Sequence, residues 1–200
     1  MTTIIFSMSV FALVGAITPG PVNIIATSSG ATFGFLRTIP HVLGATVSYT
    51  LIVYLVGTGL HQLLQNVPAF TETLRYLGSA FLLYMAYKIA TANSASNSSE
   101  SSSIPPSFIE GALCQSLNPK AWLVSMSGVS VFVLSQSSTD FYLLAYCLIS
   151  FVLCFIGVAT WAVAGHMIKN YLQRPGRQKR FNQVMGGLLC LTVVSIFING

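Results

Sequence analysis

Long apolar runs dominate this chain of 200 residues. A transmembrane helix needs about 20 mostly apolar residues, and six such runs follow one another along the sequence. Charged residues make up only 6% of the chain, against about 25% in soluble domains, so the polar side chains that a water-facing surface requires are lacking. The sequence therefore predicts an all-α membrane protein. We expect its six transmembrane helices at roughly Thr3–Thr27, Thr38–Leu64, Thr71–Ala90, Ser107–Leu134, Asp140–Ile168 and Arg180–Ile198.

Residues 91–107 form the longest polar stretch of the chain. They are rich in serine and asparagine and contain Pro105 and Pro106, a composition typical of flexible linkers. Ser107 and Glu110 have the spacing of a capping box at the start of the fourth helix. We therefore interpret residues 1–200 as a single transmembrane domain. It consists of two halves of three helices each, residues 1–90 and 108–200, joined by a cytoplasmic linker.

The basic residues indicate how the helices cross the membrane, because cytoplasmic connections are enriched in Lys and Arg. The connections after the second and fourth helices carry only Arg75, whereas those after the first, third and fifth carry seven basic residues. The seven are Arg37, Lys88, Lys169, Arg174, Arg177, Lys179 and Arg180. The odd-numbered connections are thus predicted to be cytoplasmic and both termini periplasmic. With three helices per half, the two halves are inverted repeats.

Proline interrupts the first predicted helix of each half. The sequence Thr18-Pro19-Gly20-Pro21, followed by Asn23, lies in the first helix, and Asn118-Pro119-Lys120 lies in the fourth. Proline inside a helix removes a backbone hydrogen bond, and in lipid the freed carbonyl groups need partners from protein or water. A single kink of this kind is usually structural. Two interrupted helices at corresponding places in inverted halves are typical of a transporter's substrate site.

The residues at these breaks suit an amino acid, which carries one ammonium and one carboxylate group. Half-helix ends present partial charges, and Asn23 and Asn118 can each donate and accept hydrogen bonds. Lys120 is the only Lys or Arg that lies more than a few residues from the ends of a predicted span. It either holds a carboxylate or extends to the cytoplasmic interface, and the sequence leaves both open. The expected substrate-binding residues are Pro19, Gly20, Pro21, Asn23, Asn118, Pro119 and Lys120.

No carboxylate is expected deep inside a span, because the acidic residues are assigned to helix ends and the linker. They are Glu72, Glu100, Glu110 and Asp140. Glu72 can also pair with Arg75 at the i,i+3 spacing. A proton-coupled mechanism would need His41, Glu110, His166 or Lys120 to titrate, although His41 and His166 are more simply interpreted as interfacial residues. Trp122 and Trp161 are interpreted as interfacial aromatics.

The same pattern argues against an enzyme or a metal site. Intramembrane hydrolysis needs paired carboxylates, a Ser/His pair or metal ligands at membrane depth, and no such set is evident. The cysteines lie in apolar runs without metal-site spacing, and we interpret them as small packing residues. They are Cys114, Cys147, Cys154 and Cys190. No catalytic residue, metal or cofactor is expected.

Several segments resemble a known family. ITPGPVN, RYLGSAFLLYMAYKI and SLNPKAW are similar to segments of the LysE/RhtB superfamily of bacterial amino-acid exporters. SSGATFGF, AYKIATA and WAVAGHMIKNYLQRPGRQ resemble the branch that exports cysteine and O-acetylserine. The resemblance covers nearly the whole chain and implies proton-driven efflux of a small neutral amino acid. Family members commonly have Asp or Asn where this chain has Val22, which leaves substrate choice and coupling open.

We therefore expect a multi-pass exporter of the bacterial inner membrane that works by alternating access. Its substrates would be of the cysteine/O-acetylserine or the threonine/homoserine/leucine type. The alternatives are a channel, a structural membrane subunit or, less simply, an intramembrane enzyme. The expected partners are the amino-acid substrate, the lipid bilayer and, as one option, a second copy in a homodimer. No nucleic acid is expected, because the basic residues sit at span ends.

Overall fold

The structure is a computed structural model that describes residues 2–60, 68–92, 104–172 and 176–198. Some of the sequence-based expectations fall outside these residues. They are the end of the second helix at Leu64, most of the linker with Glu100, and Arg174.

All regular secondary structure in the described residues is helical, which confirms the predicted all-α class. The α-helices are α1 Thr2–Ile17, α2 Pro21–Phe33, α3 Phe35–Leu55, α4 Pro68–Ala90, α5 Phe108–Ser116, α6 Pro119–Val129, α7 Thr139–Leu172 and α8 Arg177–Ile198. Short π-helical turns, Val56–Leu60 and Ser130–Leu134, extend α3 and α6.

The first predicted helix of each half is broken, as the prolines indicated. The chain bends by 61° between α1 and α2 and by 65° between α5 and α6. Pro21 and Pro119 are the first residues of α2 and α6. At this position a helix needs no N–H group, and the fixed φ of proline favours helix initiation. These two prolines therefore start the second arm of each broken helix and do not kink a continuous one.

Three helices are long and apolar enough to cross a membrane, and five spans result if each bent pair counts as one. The three are Phe35–Gly59, α7 and α8. Helix α4 is not among the candidate spans found in the described residues, since Glu72, Arg75 and Lys88 lower its hydropathy. The chain is thus a helical protein with several spans, and a sixth span at α4 stays a prediction.

The charges of α4 nevertheless have partners within the fold. Arg75 pairs with Glu72 at 3.8 Å, as predicted, and its guanidinium donates to the carbonyls of Ile196 and Phe197 at 3.4 and 3.1 Å. These carbonyls lie in the last turn of α8, where a cation also stabilises the helix dipole. Arg75 therefore attaches α4 to the end of α8.

Helix boundaries differ from the predicted ones around the first connection. Helix α2 continues to Phe33, beyond the predicted end at Thr27, and α3 begins at Phe35. Gly34 turns the chain within one residue because it adopts a φ of +93°, which L side chains rarely tolerate. Arg37 consequently lies in the first turn of α3 and not in a loop.

Glycines allow the helices of the two halves to pack closely. A Cβ atom on Gly30 of α2 would collide with the carbonyl oxygen of Ala162, and one on Gly165 of α7 with that of Thr27. The crossing of α3 and α5 has the same design, with Gly44 against the Phe108 carbonyl and Gly111 against the His41 carbonyl. Small residues at helix interfaces permit such backbone contact in membranes. Each broken helix is thus packed against a helix of the other half.

We expect Gly165→Ala to destabilise the fold by about 1–3 kcal/mol, because the added methyl group overpacks the crossing of α7 and α2. The apparent melting temperature in detergent, followed by size-exclusion chromatography after heating, should fall by several degrees. Gly187→Ala is the matched control, since a Cβ there has no heavy atom within 4 Å. That variant should melt like the parent or slightly higher because alanine favours helix. Equal melting of both variants would contradict the packing argument.

Candidate functional site

The two breaks line one open cleft. Gly20, Asn23, Asn118 and Lys120, all expected at the site, line the cleft together with Val22. The expected Pro19, Pro21 and Pro119 belong to the adjoining backbone. The remaining lining residues are Gly15, Ala16, Thr18, Tyr49, Gln115, Ala121, Val124, Cys154 and Val158.

Lys120 joins one break to the other. Its ammonium nitrogen donates a hydrogen bond to the backbone carbonyl of Thr18 at 3.1 Å, and the side chain is half-buried. The sequence alone left open whether this side chain extends to the membrane interface. In the structure it crosses the cleft and places a cation beside the N-terminus of α2.

Asn23 stabilises the backbone conformation of the first break. Its side-chain amide donates to the carbonyls of Ala16 and Thr18, both at 3.0 Å, and the residue is only 4% exposed. Both N–H bonds of the amide are therefore used within the chain. This geometry leaves the side-chain oxygen, Oδ1, as the atom of Asn23 that is suited to a ligand.

The helix ends around the cleft carry opposite partial charges. The N-terminus of α2 has no side-chain cap at Gly20, whereas the N-terminus of α6 is capped by Asn118, whose Oδ1 accepts from the Lys120 amide at 3.1 Å. The uncapped amides of α2 and the ammonium of Lys120 favour an anion. The C-terminal carbonyls of α1 and α5 at the same cleft favour a cation. The cleft can thus bind a zwitterion at both ends.

Two tryptophans donate hydrogen bonds to carbonyls at the breaks. Their interpretation as interfacial aromatics did not include these hydrogen bonds. The indole N–H of Trp161 donates to the carbonyl of Ile17 at 3.1 Å, and that of Trp122 donates to the carbonyl of Ser116 at 2.8 Å. Ile17 and Ser116 are the last residues of α1 and α5, so each break has an equivalent indole partner. The only signal in the sequence is that Trp122 closely follows the second break.

The cleft is also lined by three residues that the sequence did not indicate, Tyr49, Gln115 and Cys154 from α3, α5 and α7. Gln115 carried a weak signal, as an uncharged polar residue beside the second break. Tyr49 and Cys154 lie in apolar runs without any motif, and only the packing of α3 and α7 brings them to the cleft.

The candidate proton carriers other than Lys120 occupy different environments. His41 is fully buried within the protein, and its Nε2 lies 3.3 Å from the Val22 carbonyl. Because a carbonyl only accepts, Nε2 carries the hydrogen, and Nδ1 has no hydrogen-bond partner among the described residues. His166 is exposed and so fits the interfacial interpretation.

Glu110 makes two structural contacts. It forms the predicted capping box, with its carboxylate accepting from the Ser107 amide at 2.8 Å and its own amide donating to the Ser107 hydroxyl at 3.2 Å. The same carboxylate pairs with the Lys88 ammonium at 2.6 and 2.8 Å. Of His41, Glu110 and His166, His41 is therefore the one in contact with a residue of the cleft, Val22.

The cysteines match the packing interpretation in part. Cys114, Cys147 and Cys154 are buried free thiols, while Cys190 is exposed. Within the described part of the chain, no group of three or more His, Cys, Asp or Glu residues is placed to hold a metal ion.

Comparisons with known proteins agree with the resemblance of the motifs. The sequence profile of the family described as LysE type translocator matches residues 13–200. The chain is 31% identical over 196 residues to the "Cysteine/O-acetylserine efflux protein" of Escherichia coli O157:H7, covering 98% of both chains. Proteins of the same description from Escherichia coli (strain K12) and Shigella sonnei (strain Ss046) are 30% identical over the same length, again with 98% coverage of both chains. No solved structure matches the chain.

We expect Trp161→Phe to lower the stability of the protein by about 1–3 kcal/mol, because the carbonyl of Ile17 loses its donor in an apolar environment. The melting temperature in detergent micelles should fall by several degrees. Tyr54→Phe serves as the control, since it removes one polar atom from a ring that is 52% exposed. Unchanged melting of Trp161→Phe would show that the indole contributes nothing to the break.

Proposed function

This chain belongs to the LysE type translocator family, and we propose from that premise that it exports small neutral amino acids from the cytoplasm. The family and the descriptions of the relatives indicate a membrane transporter and not an enzyme. Cysteine and O-acetylserine are the first substrates to test, since the relatives are described as efflux proteins for these two compounds. The transport would be secondary active, with a proton moving in the opposite direction, in the inner membrane of a bacterium.

The observation that carries this proposal is the contact between the two breaks, in which the Lys120 ammonium lies 3.1 Å from the Thr18 carbonyl. A substrate carboxylate would displace this carbonyl as the partner of Lys120 and would lie at the uncapped N-terminus of α2. The substrate ammonium would face the C-terminal carbonyls of α1 and the side-chain oxygens of Asn23, Gln115 and Asn118. Charged hydrogen bonds of this kind are shorter and stronger than neutral ones.

The two broken helices support an inverted-repeat transporter with six spans and both termini in the periplasm. Pro21 and Pro119 occupy the same position in their helices, and each broken helix packs through glycines against a helix of the other half. Alternating access would then follow from rocking of one half against the other about the cleft. The charged helix α4 would be the sixth span, with Arg75 paired to Glu72 and Lys88 to Glu110.

We assign the coupling proton to His41. Its Nε2–H donates to the carbonyl of Val22, which lies in the first turn of α2 and lines the cleft. Protonation would add a second N–H donor, at Nδ1, in a buried position where no partner is present among the described residues. A buried donor without a partner is unfavourable. Protonation of His41 would therefore favour a different arrangement of α2 against α3, and this change would couple the proton to the substrate site.

We expect Lys120→Met to reduce amino-acid export about ten- to a hundredfold, because the carboxylate loses a charged hydrogen bond. Asn23→Ala should abolish export by opening the first break. Both variants should remain in the membrane at the level of the parent. The measurement is counterflow in proteoliposomes with labelled cysteine, O-acetylserine, threonine, homoserine and leucine.

Lys179→Met is the matched control for Lys120→Met, since it removes the same charge from an exposed side chain and should transport normally. Full export by both Asn23→Ala and Lys120→Met would overturn the site assignment. A channel would give no counterflow, because it has no exchange step, and so this experiment also separates the carrier from its main alternative.

We expect His41→Gln to retain counterflow but to lose the response of net transport to a pH gradient, because glutamine can donate to Val22 but cannot carry a proton. His166→Gln is the control and should respond like the parent, since His166 is exposed and outside the cleft. The measurement is net uptake into inside-out vesicles with and without an imposed pH gradient. Persistent acceleration of His41→Gln by the gradient would exclude His41 as the proton carrier.

A further inference from the structure

Four side-chain hydroxyl groups meet between α3, α6 and α7 without being used by the mechanism described so far. They belong to Tyr49, Ser125, Tyr146 and Ser150, which we call the hydroxyl cluster. The Tyr49 hydroxyl neighbours those of Ser125 and Tyr146, and the Tyr146 hydroxyl neighbours that of Ser150. Ser125, Tyr146 and Ser150 are fully buried, and Tyr49 is 6% exposed.

Three of the four hydroxyls in this cluster lack a hydrogen bond of ordinary geometry. They belong to Ser125, Tyr146 and Ser150, which have no such partner among the described residues. Buried polar groups in folded proteins are nearly always paired, and an exception calls for an unseen water or ligand. Three such groups side by side, on two different helices, indicate a place where a polar atom from outside the protein binds.

Gly128 makes room for the cluster. A Cβ atom at this position of α6 would collide with the Tyr146 hydroxyl oxygen. Gly128 lies one turn after Ser125 on the same helix. The chain therefore accommodates the phenol oxygen of Tyr146 against bare backbone, where a larger side chain would push it away from Tyr49.

The cluster continues the cleft. Val158 and Cys154 line the cleft on α7, and Ser150 and Tyr146 follow them at intervals of four residues, which places all four on one face of the helix. On α6, Ala121 lines the cleft and Ser125 lies one turn further along. Tyr49 belongs to both, since it is a member of the cluster and also lines the cleft.

We propose that the hydroxyl cluster is the subsite for the polar group at the end of the substrate's side chain, a thiol, a hydroxyl or an ester oxygen. This inference rests on the proposed function, in which Lys120 and the ends of α1 and α2 hold the carboxylate and ammonium groups. A short side chain that leaves the cleft along α7 meets Tyr49 first and the buried hydroxyls next. Hydroxyl groups both donate and accept, so the subsite suits any of these three groups and discriminates against an alkyl side chain, which would leave the hydroxyls unpaired.

The test compares cysteine with 2-aminobutyrate, in which a methyl group replaces the thiol, as competitors of labelled cysteine in proteoliposome counterflow under reducing conditions. For the parent, half-inhibition should need about tenfold more 2-aminobutyrate than cysteine, the effect of one typical net hydrogen bond. The single variants Tyr146→Phe and Ser150→Ala should each reduce this ratio to a value between about one and three. The half-inhibiting concentration of 2-aminobutyrate should not change. Tyr142→Phe, one turn earlier on α7, is the control and should keep the ratio of the parent.

The possible results separate the inference from the proposed function. Normal counterflow with the same ratio in the parent, Tyr146→Phe and Ser150→Ala would overturn the inference alone and would leave the cluster as a site for buried water. A ratio near one in the parent would overturn it as well. Absence of counterflow with every amino acid would overturn the proposed function and, with it, this inference.

Discussion

A backbone carbonyl released by a helix break inside an apolar environment must be hydrogen-bonded by the protein, and the rest of this structure depends on that requirement. At the first break the donors are Asn23, Lys120 and Trp161, which reach the carbonyls of residues 16 to 18. At the second break Trp122 reaches the carbonyl of Ser116. Lys120 belongs to one break and bonds the other, so the two interruptions stabilise each other and enclose the cleft between them.

Close helix packing makes such polar breaks tolerable, because it surrounds them with protein. Helix α2 is buried almost all round, although it carries several hydroxyl groups. Thr27 donates to the Asn23 carbonyl at 2.8 Å, and Ser29 shares a hydrogen bond of 2.8 Å with Thr38 on α3. Gly30 and its partner glycine on α7 bring the two backbones into contact. A polar helix can therefore lie in the centre of the bundle, next to the cleft, although its hydroxyl groups would be unfavourable in contact with lipid.

Much of this fold could be predicted from the sequence, because apolar length, proline and capping patterns act locally. The two breaks, the capping box of Ser107 and the pair of Glu72 with Arg75 are features of this kind, and the structure has all of them. The burial of His41 could not be predicted, because it depends on contacts between distant helices. Its position near the start of an apolar run resembles that of an interfacial residue, and only the contact of α3 with α2 and α5 buries it. The turn at Gly34 was missed since a single glycine carries little signal.

The sequence by itself determined that the chain is a helical membrane protein with two proline-broken helices, since the absence of charge and the geometry of proline permit little else. It also identified the residues at the breaks. Only the tertiary structure decided what those residues do. The direction of the flexible Lys120 side chain, the use of both Asn23 N–H bonds inside the first break, and the gathering of Tyr49, Tyr146 and Ser150 beside the cleft all depend on how distant helices pack. Contacts between residues a hundred positions apart leave no local pattern, so the chemistry of the cleft became visible only in the folded chain.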